Sequence, residues 1–400
     1  MREQSIRGSA LLLLMVGDMS DHYRFLWVEG IFDEDTVSSF TAMSPAANFY
    51  QRGYVDALHK LGHGVDVIGY PVERVWPFGR LIIRGEQASL SQGLTGQVIG
   101  YVNLPFFRNT IQYNNLLKAA KSHLRMTKHK PDYQIIWSCL DKSTDETPAI
   151  RVAKYIREHF GVPWVCIVAD GAIPPGADAY VYQAWSHYKS DTSPGPSIHI
   201  DGGIPGIKCV DDQNLPVNNS ARGKSLMYMG ALTEHGGVSQ LARAFHKLND
   251  KDIQLWVCGR GRNSELMRLA EVDQRIKIKG FVDEAELSKL AGAAFAFANP
   301  RPNSFAPNKV NYPSKVLHYL AYGKPVISTF TDGVSPDYAD VLIQIREESD
   351  DCLGEAIHSV LNMQSKEYED MRDRIASFNK THTWIYQVNR FISWLQSQSQ

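Results

Sequence analysis

The chain has 400 residues, more than a single hydrophobic core usually holds, so two domains are expected. Apolar residues make up 44%, charged residues 21%, and the net charge is −1: an ordinary soluble globular composition, not basic enough to suggest nucleic acid. The five cysteines (Cys139, Cys166, Cys209, Cys258, Cys352) are odd in number and scattered, with no Cys-x-x-Cys pair. Cys166 and Cys258 sit in apolar strand-like runs, so buried, reduced thiols in a cytoplasmic protein are expected. The apolar run Ala10–Val16 is too short to cross a bilayer and no small-residue cleavage site follows it. It is read as a buried strand.

From Ala10 strand-like and helix-like segments alternate, the pattern of a parallel α/β sheet. Further strands are expected at Val65–Gly69, Tyr133–Ser138 and Trp164–Ala169. Helices are expected at Ala46–Leu61, Ile111–Met126 and Thr147–Phe160, with Gly62 and Gly161 as stops. Asp18–Met43, acidic and aromatic, reads as an insertion: a lid, an acceptor-side loop or a decoration. Ser44 and Pro45 suit a helix start, and the small residues after them would let a ligand approach the backbone. Asn48, Gln51 and Arg52 there could face that ligand or simply be solvated. Asp170 follows a buried strand, where open α/β sheets place ligands and catalytic groups. It could take a proton from a hydroxyl if partial burial raised its pKa, or it could form an Asp-Gly turn. Ser138 and Asp141 are secondary candidates by the same geometry. Between Arg108 and Lys130 there are six Lys or Arg residues and no acid. With Leu116, Leu117, Ala120 and Leu124 at helical spacing, this segment suits an anionic membrane surface or a core-packed helix with a solvated face.

His199–Ile207, glycine-rich and proline-bearing, reads as an interdomain linker. A second α/β series follows. Ser225–Met229 is a strand, Gly230–Gly237 a loop and Val238–Leu248 an amphipathic helix; the glycines of the loop would let a phosphate approach the backbone. Ile253–Cys258 is a strand leading into Gly259-Arg260-Gly261-Arg262. Ile276–Gly280 precedes Phe281 and Val282, and Asp283 with Glu286 makes a capping box. Ala294–Thr329 reads as strand, polar loop, short helix and strand, the helix ended by Gly323-Lys324-Pro325. The loop delivers Arg301, Asn303, Ser314 and Lys315 beside the helix start, a combination that suits a phosphate or diphosphate. The alternative is a solvated basic loop. Glu367–Leu395 is read as helical, with Trp384, Phe391 and Trp394 as packing residues.

The sequence NPR followed by PSKVLHYLAYGKPVIS resembles the donor-site segment of glycosyltransferase family 4, in the bacterial exopolysaccharide and capsule subgroup. The stretch from Ser44 to Gly69 is similar to the first βα unit of that subgroup. The resemblance implies two Rossmann-like domains facing across a cleft (GT-B), with the C-terminal helix crossing back to the N-terminal domain. The implied boundaries are 1–203 for the acceptor side, 204–375 for the nucleotide-sugar domain and 376–400 for the crossing helix. It also implies metal-independent transfer of a sugar, with retained configuration, from a nucleotide-diphosphate donor to a glycan or lipid-linked acceptor. A UDP-sugar is favoured as the donor substrate, and no cofactor is needed. In this reading Arg301 and Lys315 stabilise the diphosphate. Gly230, Gly259, Arg260, Phe281, Val282, Asn303, Ser314 and His318 bind the donor; Asp170 faces the acceptor with Asn48, Gln51 and Ser138. The protein would be cytoplasmic, with possible contact to the inner face of the cell membrane through Arg108–Lys130.

Two departures stand out. The family helix carries two carboxylates in an E-x7-E pattern, and those positions are Val310 and His318 here. The Arg and Lys that many members place in the earlier loop correspond to Ala231 and Gly236. A non-catalytic paralogue binding a sugar nucleotide or glycan is therefore the alternative. Asp33-Glu34-Asp35 matches the Asp-x-Asp metal motif of another glycosyltransferase fold, but too little chain precedes it for a nucleotide-binding sheet, so a chance match is expected. His59 and His63 are separated by the helix-ending Gly62, which argues against a metal pair.

Overall fold

The structure is a computed structural model that describes residues 22–91, 94–140, 142, 146–193, 195–204 and 224–398. The expected strand Ala10–Val16, the candidate Asp141 and the end of the expected linker lie outside these residues.

Among the described residues, ten strands precede residue 205: β1 (Arg24–Trp27), β2 (Gly64–Gly69), β3 (Ile82–Ile83), β4 (Glu86–Ser91), β5 (Leu94–Val98), β6 (Tyr101–Val102), β7 (Tyr133–Leu140), β8 (Trp164–Gly171), β9 (Ala179–Tyr182) and β10 (Ser197–His199). Eight of them form a sheet in the order β10-β9-β8-β7-β1-β2-β5-β4. β1 runs parallel between β2 and β7, β8 to β10 run parallel to one another, and β4 closes the edge antiparallel to β5. β3 and β6 pair separately. Six strands follow: β11 (Ser225–Met229), β12 (Gln254–Cys258), β13 (Ile276–Gly280), β14 (Ala296–Asn299), β15 (Val326–Thr329) and β16 (Leu342–Ile345). They make an all-parallel sheet in the order β13-β12-β11-β14-β15-β16. Continuous apolar runs are what parallel strands covered on both faces require. β14 and β15 are buried at every residue.

The chain divides into two compact bodies. One takes the described residues up to Pro45 with Val55–Ile136 and Glu146–Trp164; the other takes Ala46–Tyr54, the described residues from Trp137 to Leu140, and those from Val165 onward. The core of the second body is built on β11, β12, β14 and β15 and the helices that cover them.

The expected helices and the Asp283 cap are present. Helices occupy Pro45–Lys60, Arg108–Met126 and Pro148–Phe160, and Gly161 caps the last in the left-handed region. Asp283 caps the helix Glu284–Ala293 by accepting from the Glu286 amide. The four cysteines among the described residues carry no disulfide, and Cys166 and Cys258 are buried. Asp33 caps the helix Glu34–Ser39, accepting from the Thr36 amide at 2.9 Å and its hydroxyl at 2.8 Å, so a local structural bond accounts for it. Among the described residues no group of three or more His, Cys, Asp or Glu could hold a metal ion, and no helix is long and apolar enough to cross a membrane.

Other expectations need correction. Asp18–Met43 is not a plain insertion: it contains β1, whose Phe25, Leu26 and Trp27 are fully buried. A strand of four residues that opens on Arg24 is too short to show a period of its own. The basic helix Arg108–Met126 buries Leu116, Ala120 and Leu124, so its apolar stripe is packed and not free for a membrane. His199 ends β10, and Ile204 in the expected linker pairs with Thr383. That pairing coincides with a break in the C-terminal segment, which forms two helices, Ser365–Thr381 and Trp384–Gln398.

Trp384 opens the last helix and lies 5.6 Å from the Tyr50 ring and 5.0 Å from Tyr54, with its flank against Gly53. It is buried, so Trp384→Ala leaves a large cavity and is expected to destabilise the fold by about 3–5 kcal/mol. Urea unfolding checks this, and a change under about 1 kcal/mol would contradict the packing role.

Candidate functional site

The second body brings together side chains from four elements. β11 alternates, so Tyr228 sends its hydroxyl to the loop that follows, where it donates to the Ala231 carbonyl at 2.8 Å. Lys315 starts the helix Lys315–Leu320, and its Nζ lies 3.3 Å from the Tyr228 hydroxyl. Tyr319 anchors that helix to β11, with its hydroxyl donating to the Met229 carbonyl at 2.8 Å and its ring stacked on Phe297. Packing thus fixes the base of Lys315, leaving only its ammonium to be placed.

Gly230 explains that placement. Its φ is +155°, and a Cβ there would stand 1.9 Å from Lys315 Nζ. At Gly237 a Cβ would meet the Pro300 carbonyl at 1.8 Å. These glycines therefore make room for the chain's own Lys315 and Pro300, which corrects the expectation of open backbone for a phosphate.

Arg301 leaves the end of β14 and is oriented by Asn308. The Asn308 Oδ1 accepts from Arg301 Nε at 3.0 Å and Nη2 at 2.6 Å, while its Nδ2 donates to the His235 and Pro302 carbonyls. Asn308 is completely buried, on a short helix, Ala306–Val310, that interrupts the loop expected from the sequence. A residue with two donors and an acceptor is suited to this bridging task. Burial pulls the Arg301 pKa down, and the neighbouring Asp170 opposes it. Burial and the positive Arg301 together push Lys315 down to about 8.

Asp170 lies within the last residues of β8, not just past it. Burial raises its carboxyl to about 6, with Arg301 drawing it partly back. Gly171 ends β8 with φ +78°, and a Cβ there would stand 2.0 Å from the Leu140 carbonyl, so Asp170 and Gly171 belong to the strand and not to a separate Asp-Gly turn. A carboxylate of raised pKa and two half-buried cations thus lie in one electrostatic series, Asp170 beside Arg301 and Arg301 beside Lys315.

The remaining candidates fall around this cluster. Asn48 and Gln51 are buried rather than solvated, and their neighbour Tyr50 places its hydroxyl 3.4 Å from the Ser314 carbonyl. His318 is exposed, with its ring 4.6 Å edge-on to Phe49. Ser138 is buried on β7, its hydroxyl without a partner among the described residues. Asn303 is exposed in a turn, away from the cluster's hydrogen bonds. Gly259, φ +155°, packs against the Gly230 carbonyl. The Arg260 guanidinium covers the exposed Phe281 ring at 3.8 Å, and Val282 packs on the core. Sequence reasoning missed Tyr50, Tyr228 and Asn308. The polar atom that matters in each is hidden in an apolar or Asn-Pro-rich run, and only packing shows where it points.

Residues 223–363 match the family described as Glycosyl transferases group 1. The match spans β11 to β16 with Tyr228, Gly230, Arg301 and Lys315. No curated protein matches the chain. Among solved structures, sucrose-phosphate synthase from Thermosynechococcus elongatus is 14% identical, with a TM-score of 0.65 over 94% of this chain and 99% of that one. Anabaena HepE, in complex with UDP and glucose, is 11% identical, with a TM-score of 0.61 over 94% of this chain and 100% of that one. The E. coli trehalose-6-phosphate structure bound with UDP-2-fluoro glucose is 12% identical, with a TM-score of 0.61 over 93% and 98%. At these identities the likeness shows the fold. It is that of the GT-B glycosyltransferases.

Proposed function

We propose that this protein transfers a sugar from a UDP-sugar to a hydroxyl of a glycan or lipid-linked acceptor. The observation that carries the reading is the convergence of Lys315 and Arg301, two half-buried cations, near Asp170 at the end of β8. Two fixed cations stabilise a departing diphosphate without a metal. Burial and Arg301 lower the Lys315 pKa to about 8, and an anion bound beside it would raise it again and hold the ammonium charged. Asn308 holds Arg301 in position; Phe281 with Arg260 and Val282 form the nucleobase side. Asn303, Ser314 and His318 serve the donor, and Asn48, Gln51 and Ser138 the acceptor. The likeness to structures with UDP and glucose or UDP-2-fluoro glucose bound supports UDP as the nucleotide.

The finer parts of the reading are proposals too: membership of family 4, a role in exopolysaccharide assembly, a cytoplasmic location, and division at 1–203, 204–375 and 376–400. Retention, implied by the resemblance, leaves Asp170 a positioning role. A single displacement with Asp170 as base would invert the sugar, so the anomeric configuration of the product identifies its role.

A thermal-shift panel of UDP, GDP, ADP and TDP sugars, with and without magnesium, tests the donor. A rise in Tm with the UDP series alone, unchanged by magnesium, is expected. No rise with any nucleotide, or one that requires magnesium, would contradict the reading.

A further inference from the structure

The first body carries a surface that the transferase reading does not use. Phe78 is 81% exposed, Phe106 99%, Phe107 64% and Ile82 64%, with Trp76 and Val102 also exposed. Large apolar side chains at such exposure are unusual when they cluster. Asn103, three residues before Phe106, ties together the backbone segments that carry Trp76, Phe78 and Ile82. Its amide donates to the Leu81 carbonyl at 2.7 Å, its carbonyl accepts from the Trp76 amide, and its Nδ2 donates to the Arg74 and Arg80 carbonyls. Ile82 and Val102 are cross-strand partners in the β3–β6 pair. Arg108 Nη1 reaches the Glu73 carbonyl at 3.2 Å, linking Phe106 and Phe107 to the same platform.

Two independent features say what this platform meets. Phe106 has φ +65°, a conformation that costs a phenylalanine and is found where function holds it. The charge around the patch is also one-sided. Arg74, Arg80 and Arg84 are exposed; Glu73 is buried, accepts from the Thr41 and Arg74 amides and lies 3.9 Å from Arg80 Nε, so Arg80 is paired and Arg74 and Arg84 carry the positive charge beside the patch. Glu86 is the next acid along the chain, and the helix that starts at Arg108 has none. Exposed aromatics ringed by arginines, on a protein whose net charge is −1, complement an anionic lipid interface.

We propose that this face, centred on Phe78, Phe106 and Phe107 and flanked by Arg74 and Arg84, docks the protein on an anionic phospholipid bilayer. The docking does not depend on catalysis, so it stands or falls apart from the transferase reading.

Flotation of the full chain with phosphatidylcholine vesicles, with and without phosphatidylglycerol, provides the test. The parent is expected to float with the anionic vesicles and not with the neutral ones. Combined Phe78→Ser, Phe106→Gly and Phe107→Ser should lower the bound fraction about tenfold or more. Arg74→Glu with Arg84→Glu should do the same while leaving the aromatics in place. Because the three aromatics are exposed and Phe106→Gly relieves a positive φ, the triple variant should keep the parent Tm or exceed it. Absence of flotation by the parent, or equal flotation by the triple variant, would overturn the proposal. So would a dimer of the parent that the triple variant converts to monomer, since the face would then belong to a second copy.

Discussion

Replacing Lys315 with alanine is expected to cut turnover of the UDP-sugar by about a hundredfold or more, the loss typical of removing one oxyanion-type contact. The ammonium is fixed by the Tyr228 hydroxyl and by the space beside Gly230, so no nearby side chain can substitute for it. Arg301 would remain, held by Asn308, which preserves binding better than catalysis. Gly230→Ala provides an independent check. Its methyl group would collide with Lys315 Nζ and displace it, so this variant should reproduce much of the loss without touching the charge. Steady-state kinetics with a fixed acceptor measures both. An unchanged rate in Lys315→Ala would remove Lys315 from the mechanism.

Asp170→Asn is expected to lower kcat/KM by about 10²–10⁴-fold if the carboxylate takes the acceptor proton. The pH profile carries the same information. The Asp170 carboxyl is raised to about 6 and would have to be ionised to serve as that base, so in the inverting case the rate should fall as pH drops below about 6, whereas a positioning role in a retaining transfer requires no such acid limb. Lys315 is depressed to about 8 and must be charged, so the rate should fall again as pH rises above about 8. With both limbs the result is a bell in kcat/KM, which reports the free enzyme. Stability should move the opposite way. A carboxyl whose folded pKa lies above its unfolded value stabilises the fold below the unfolded value and loses that contribution as pH rises through about 6. Asparagine carries no such dependence, so Asp170→Asn should gain stability relative to the parent at pH 7 while activity falls. A loss of both activity and stability would instead mark Asp170 as structural.

Much of this was legible in the sequence because parallel strands are continuous apolar runs that few other structures produce. β8, β11, β14 and β15 stand out for that reason, and the loop after β14 announces its cations openly. Asp170 was legible from position alone, at a strand end. β1 was not, because four residues buried by neighbours on both sides carry no period of their own. Nor could the sequence show that Gly230 serves Lys315, or that Asn308 aims Arg301. Both depend on contacts between segments many residues apart, and a glycine next to a binding loop suggests ligand access just as readily as room for a side chain. The basic helix left two readings open for a related reason. An amphipathic stripe looks the same whether it faces a core or a lipid, and Leu116, Ala120 and Leu124 face the core. The exposed aromatics from Trp76 to Phe107 carry no such periodicity and became visible only with their exposure.

Calorimetric titration of the protein with UDP and with uridine, each in the presence and absence of EDTA, tests the central claim most directly. If Lys315 and Arg301 hold the diphosphate as fixed charges, UDP should bind at least about tenfold more tightly than uridine, and EDTA should change neither affinity. Equal affinity for UDP and uridine, or loss of UDP binding with EDTA, would contradict it.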